Sequence, residues 1–330
     1  MARNNQKLSA DTVLKNYWNN NEQFADFFNG ALFKGRQIIK ADELEDVDTE
    51  ESTVFEHRKY AESMKASRDN IKIRKKSTVY GVEFVLLGME SQEHIHYAMP
   101  MRVMGYDYAA YKKQYDANAR KYKNGKGVTK DEYLSKMRKT DRFVPVISVV
   151  VYYGERAWNG AKSLHEMLDV PLEMAEYVND YKMILVEARE NKLELHNNNN
   201  RDLFNLLEIL LDTELPRNMI KTKAIQYSEE HNTEKTVIMT VAGAINTKLD
   251  YDSLAKGDGR MCTVFDEIAK ESEARGEARG EVKGRAIEII ETGFEFGLSE
   301  DDILSRLQKK LDVSLQTAKE YFAMFGKRCV

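Results

Sequence analysis

Asp69 opens the alternating segment Asp69, Asn70, Ile71, Lys72, Ile73, Arg74, and Glu90 and Gln92 close the apolar run at 82–92. Two carboxylates brought together can hold a hard divalent cation such as Mg²⁺, which takes oxygen ligands and keeps several waters. One of those waters can attack a phosphodiester. In that chemistry Asp69 and Glu90 are the ligands, and Gln92 orients the water or the scissile phosphate. A plainer reading makes Asp69 a polar strand end and Glu90 a salt-bridge partner of Arg102.

The elements that must position these residues are two strands. Residues 84–89 are apolar, short and bounded by polar residues, as in a strand covered on both faces. Side chains alternate along a strand, so Glu90 and Gln92 share a face. A buried carboxylate requires a cation, a metal or an exit into water. Asp69 shares its face with Ile71 and Ile73. If the chain turns back through the polar stretch ending at Tyr80 and Gly81, an antiparallel pair places Asp69 opposite Glu90 to Gln92. A turn nearer Lys76 places Asp69 beside Phe84 instead.

Composition bounds the rest. The chain has 330 residues, 42% of them hydrophobic and 32% charged, with only 4 Pro, as expected of a largely helical protein that also contains a sheet. A net charge of -4 excludes a uniformly basic coat but not a basic face. Residues 41–56 hold 8 acids and no Lys or Arg, and read as a solvated loop. Residues 112–142 hold 11 Lys and Arg against 4 acids, and read as an exposed loop with Gly125 and Gly127. Cys262 and Cys329 are too far apart for a disulfide framework or a cysteine metal cluster. The first 11 residues are polar and no apolar run reaches membrane length, so the expectation is a cytoplasmic protein with neither leader nor span.

Along the chain, residues 11–28 carry apolar positions at helical spacing, with Ser9 as N-cap and a soft break at 19–21. Residues 51–66 fit a further helix. Residues 94–115 are helical in pattern, with Pro100 near the start and Arg102 and Tyr106 four apart on one face. The β-branched run at 143–153 predicts a central strand and residues 181–186 a fourth, with short helical pieces at 164–168 and 172–177. Strands and helices alternate to about residue 190, which predicts an α/β sandwich.

Beyond the asparagines at 197–200 the pattern is all-α: helices over 203–211, 219–228, 235–247 and 262–270. The three expected regions are 1–190, 191–270 and 271–330. Residues 273–284 repeat Glu, Ala, Arg, Gly with a four-residue step, and each Gly costs a helix about 1 kcal/mol relative to Ala. Like charges fall four apart, so a weak helix or flexible link is expected. Two capped amphipathic segments follow, at Ser299 and Ser314. They are too small to bury much alone and should dock on the body or on a second copy, making a homo-oligomer through these helices the assembly the sequence offers.

Several separated blocks occur together in order: Phe24, Ala25, Asp26; Arg68, Asp69; Leu87 to Gln92; Ile95, His96, Tyr97, Ala98, Met99, Pro100, Met101, Arg102; Tyr106, Asp107; Pro145, Val146, Ile147; Tyr152, Tyr153, Gly154; Trp158; Ser163, Leu164, His165, Glu166, Met167, Leu168. In these blocks, and in its glycine-repeat tail, the chain resembles the bacterial recombination-promoting nuclease/putative transposase family of the PD-(D/E)XK nuclease superfamily, over most of residues 9–190. The resemblance implies a restriction-endonuclease-like mixed central sheet flanked by helices, and a Mg²⁺-dependent DNA endonuclease that promotes recombination or DNA mobility. It implies that Asp69 and Glu90 are the paired acids, and makes Asp11, followed by Lys15, a weaker match to a metal-binding acid on the first helix. Gln92 stands where many relatives carry Lys. Gln offers a dipole in place of a charge, so stabilisation must come more from the metal or from Arg102, or be weaker. Gln also occurs at this place in the family.

Other candidates are phosphate contacts. Lys72, Arg74, Lys75 and Lys76, and the basic 112–142 segment, could hold a DNA backbone without sequence preference, a solvated surface being the alternative for the long segment. Arg102 could contact phosphate or pair with Glu90. His94 and His96 lack a third metal ligand and are more often structural. No helix-turn-helix or zinc-finger pattern supports base-specific readout.

Overall fold

The computed structural model describes residues 8–46, 70–75, 82–89, 95–122, 127–190, 192–245 and 249–326, with backbone only at 11, 46, 70–75, 82–89 and 270–281. The fold is mixed α/β, and the chain separates into two compact units, Met1–Val264 and Phe265–Val330.

The described sheet has the order β1-β2-β3-β4-β5, formed by β1 (Leu44–Asp46), β2 (Asn70–Lys75), β3 (Val82–Met89), β4 (Val146–Tyr152) and β5 (Ile184–Glu187). The pairs β1–β2 and β2–β3 are antiparallel, while β3–β4 and β4–β5 are parallel. β4 is buried on both faces, with Val149, Val150 and Val151 all at 0% exposure, as its β-branched run predicts. Part of the acidic stretch expected to be a loop forms the edge strand: Leu44 is buried at 5%, and that one anchor lets Glu45 pair with Arg74 of β2. The helix expected over 51–66 lies outside the described residues.

α3 (Met99–Lys121) crosses from β3 to β4, with Pro100 in its first turn, where the missing N–H costs no helical bond. It buries Met99, Val103 and Tyr106 against Val150, Tyr152, Trp158 and Met183. The basic segment expected to be a loop is instead folded. α3 runs ten residues into it, and α4 (Lys130–Ser135) follows, closed by a Thr129–Glu132 capping box. Between β4 and β5 the described structure is two short 3₁₀ turns, His165–Met167 and Leu172–Tyr177.

The remaining helices of the first unit are α1 (Ala10–Trp18), α2 (Asn21–Phe33), α5 (Asn198–Leu210), α6 (Arg217–Glu230), α7 (Lys235–Ile245) and α8 (Tyr251–Lys256). Ser9 and Asn20 cap α1 and α2 at the expected start and break. Although separated from α5 and α7 by the whole sheet, α1 and α2 pack on them. The rings of Phe27 and Phe204 stack with centroids 5.8 Å apart. Gly243 of α7 lies so close to α1 that an added Cβ would stand 3.3 Å from the Ala10 carbonyl oxygen.

α9 (Met261–Glu295), α10 (Glu300–Leu311) and α11 (Leu315–Phe325) complete the chain. The Glu/Ala/Arg/Gly repeat is continuous helix, the helical one of the two expected alternatives. An added Cβ at Gly284 would meet nothing within 4 Å, so that glycine serves no close helix contact. Ser299 and Ser314 cap α10 and α11 as expected. Within the second unit Ile303, Leu304, Leu307 and Ala318 pack on Ala286 and Ile290 of α9.

Candidate active site

The site is built from strand ends. Because β2 and β3 are antiparallel while β3, β4 and β5 are parallel, the start of β2 and the ends of the other three lie at one end of the sheet. The register aligns Met89, Tyr152 and Glu187 in one row there. Asp69 precedes Asn70 and Glu90 follows Met89. Asp69, Glu90 and Gln92 themselves lie outside the described residues, as do Lys76 and His94.

The antiparallel pairing is as expected, but its register is not. Asn70 pairs with Leu87, whereas Asp69 facing Glu90 to Gln92 would have required Asn70 to face residues 89–91. β3 therefore runs at least two residues past the start of β2. Lys75 pairs with Val82 across the reversal of the chain. Turn chemistry in a run without a two-residue Gly turn is a weak guide to register.

α3 begins at this end and runs antiparallel to β4, from Met99 beside Tyr152 and Trp158 to Gln114 beside Val144. Arg102, in its first turn, is half-buried and donates Nη2 to the Tyr106 hydroxyl at 3.2 Å, the i, i+4 contact the spacing predicts. Burial and the Arg102 charge both lower the His96 pKa, which favours neutral imidazole. Beyond β4 and β5, Arg156 and Arg189 lie close enough to oppose the upward push that burial and Glu187 exert on the Tyr152 hydroxyl. Arg189 donates to the Glu155 carbonyl at 3.1 Å, and its Nε is buried without a hydrogen-bond partner. Glu187 accepts the Trp158 N–H at 2.9 Å and stands 3.9 Å from the Lys162 ammonium.

What fixes α3 on the sheet is Asp107, buried at 5% exposure, which accepts hydrogen bonds from the Ser148 and Tyr181 hydroxyls. Burial first, and the bond to Asp107 next, push the Tyr181 pKa up, so the phenol stays a donor. From the sequence alone Asp107 has no assigned role. The available signal was a carboxylate on the same helical stripe as Met99, Val103, Tyr106 and Ala110.

The other expected contacts fall elsewhere. Lys72, Arg74 and Lys75 run along β2 toward the opposite end of the sheet, and Arg74 is the register partner of both Glu45 and Glu83. Asp11 lies in the first turn of α1. Among the described residues no group of three or more His, Cys, Asp or Glu is arranged to hold a metal. Among them, too, no helix is long and apolar enough to cross a membrane.

A family profile described as "Putative transposase, YhgA-like" matches residues 9–224, from α1 to the middle of α6. No curated protein and no solved structure matches.

Proposed function

The chain belongs to the YhgA-like putative transposase family, and from that membership we propose that it is a Mg²⁺-dependent DNA endonuclease acting in DNA recombination or mobility, on a restriction-endonuclease-like sheet. What supports this reading is that the start of β2 and the end of β3, the strands that Asp69 and Glu90 adjoin 21 positions apart in sequence, lie at one end of one sheet. Two carboxylates and an amide are the hard oxygen donors that a divalent cation of this class selects, so the donor set fits Mg²⁺. Bound there, the cation would supply Lewis-acid activation of water and charge neutralisation at the phosphate.

In this reading Asp69 and Glu90 hold the ion, with Asp11 as a further ligand, and Gln92 orients the attacking water. Arg102 places its guanidinium at the sheet end where the phosphate must sit, stabilising charge that the Gln92 dipole cannot. His96, favoured as neutral imidazole, adds no competing positive charge. Arg156 and Arg189 raise the positive potential of the same rim.

The test is metal-dependent nicking of supercoiled plasmid. Wild type should nick with Mg²⁺ and stop with chelator, and Glu90→Ala should lower the rate by at least about 100-fold, the order of loss when a charge-stabilising group is removed. Gln92 favours a second reading, a nuclease-fold protein that binds DNA and assembles without turnover. Equal DNA retention by wild type and Glu90→Ala, with no cleavage by either, would select it.

A further inference from the structure

Of the cations expected to grip DNA from β2, Arg74 lies in register between Glu45 and Glu83, while Lys72 faces Val85 and Lys75 faces Leu44 and Val82. The second basic region is larger. Its described residues, in the C-terminal half of α3, in α4 and on to Arg142, hold nine Lys and Arg against Asp116, Asp131, Glu132 and Asp141. Lys113, Arg120, Lys121, Lys130, Arg138, Lys139 and Arg142 are exposed.

Three of the four acids are tied into the fold of this arm. Asp116 accepts from Lys112 on the preceding turn of α3, and Glu132 caps α4 at the Thr129 N–H. Asp141 collects Tyr122 Oη at 2.6 Å, Asn118 Nδ2 at 2.9 Å and the Arg138 N–H at 2.8 Å. Those three bonds, Tyr122 foremost, hold its carboxyl at about 2. Tyr115 donates to the Ser135 carbonyl, and Gln114 bonds both backbone groups of Val144. The cations therefore ride on a backbone already folded against α3, with Tyr108, Tyr111 and Tyr133 exposed among them.

Resting on the DNA reading above, we propose that this arm is the principal DNA-backbone grip of the protein, acting at a distance from the proposed catalytic rim. β4 spans seven residues between the two, about 20 Å at about 3.3 Å per residue. Duplex DNA carries one charge per about 1.7 Å of axis, so a duplex following the sheet meets both. A grip already folded in the absence of DNA loses little backbone freedom on binding.

The experiment measures retention of a 30-base-pair duplex at several salt concentrations by three full-length proteins. The arm variant combines Arg120→Gln, Lys121→Gln, Lys130→Gln and Lys139→Gln. The control variant combines Arg217→Gln, Lys223→Gln, Lys309→Gln and Lys319→Gln, removing equal charge from exposed sites elsewhere. Unchanged melting temperatures establish that both variants are folded. The arm variant should bind at least about tenfold more weakly, and its slope of log affinity against log salt should flatten by up to about 4, at about 0.9 per lost phosphate contact. The control should stay within about twofold of wild type.

Equal losses in the two variants would reduce the effect to net charge and overturn the arm. An unchanged arm variant beside a DNA-binding wild type would also overturn it and leave the nuclease reading standing. A wild type that retains no duplex would bring down both. Polyglutamate competing as well as DNA at equal charge would overturn DNA as the partner.

Discussion

Asp26 and Asp141 each collect an asparagine amide and a backbone N–H, the first in the helical body and the second in the basic arm. Their settings differ in burial and in reach. Asp26 is 5% exposed, and its partners, Asn200 at 2.9 Å and the His196 N–H at 2.8 Å, are 174 and 170 residues away. Asn200 is itself at 0% exposure, accepts from the Tyr17 hydroxyl at 2.9 Å and donates to the Gln23 carbonyl at 2.7 Å. Asp141 sits at the surface and reaches back no further than 23 residues. The same hydrogen-bond chemistry therefore joins the two ends of a unit in one place and only shapes a loop in the other. An unmade bond is costly where water cannot replace the partner, and cheap where it can.

Substitutions break or sharpen that contrast in a definite order. Phe204→Ala, which empties the stack with Phe27 between α2 and α5, should destabilise the first unit by about 3–5 kcal/mol in urea unfolding. Asn200→Leu should cost about 3 kcal/mol, because Tyr17 Oη, Asp26 and the Gln23 carbonyl all lose a buried partner. A cost below 1 kcal/mol would mean that water reaches the cluster and that the contrast with Asp141 is not one of burial. Asp107→Leu should cost about 2 kcal/mol, since Ser148 and Tyr181 keep their hydroxyls without an acceptor. It should also weaken any function of Arg102 by loosening α3 on β4.

Asp141→Asn should lower the unfolding midpoint at pH 7 only slightly, because the carboxyl is solvent-screened at the surface, while altering the arm's response to acid. The folded carboxyl titrates at about 2, below the ordinary carboxylate value, so its contribution is present above about pH 4 and is lost as pH falls through about 2. Amide exchange over 127–142, corrected for intrinsic rates, should rise through that window in wild type. In the variant it should be raised at every pH. Identical profiles would show that the arm is held without Asp141.

Much of the architecture was legible because it is local. Ser9, Asn20, Ser299 and Ser314 announce helix starts within three residues of the N–H groups they satisfy. The Val-rich run of β4 and the Arg102–Tyr106 contact depend only on strand alternation and helical spacing. At the proposed catalytic rim the sequence supplied the residue types and the antiparallel pair but not the register. That depends on a turn whose residues lack a decisive signature, and a shift of two residues preserves every side chain's face.

The strand in the acidic stretch was hidden because one buried leucine outweighs its neighbouring charges. The folded arm was hidden because its ordering bonds start from polar side chains that read equally well as solvated. The asparagines at 197–200 marked a change of character in the sequence without showing that Asn200 is a hub. By itself, then, the sequence determined helix caps and buried strands, which rest on interactions between near neighbours. Tertiary structure alone decided which polar residues become load-carrying, since a hydrogen bond gains its weight from the exclusion of water, and at Asn200 that exclusion is produced by helices some 180 residues apart.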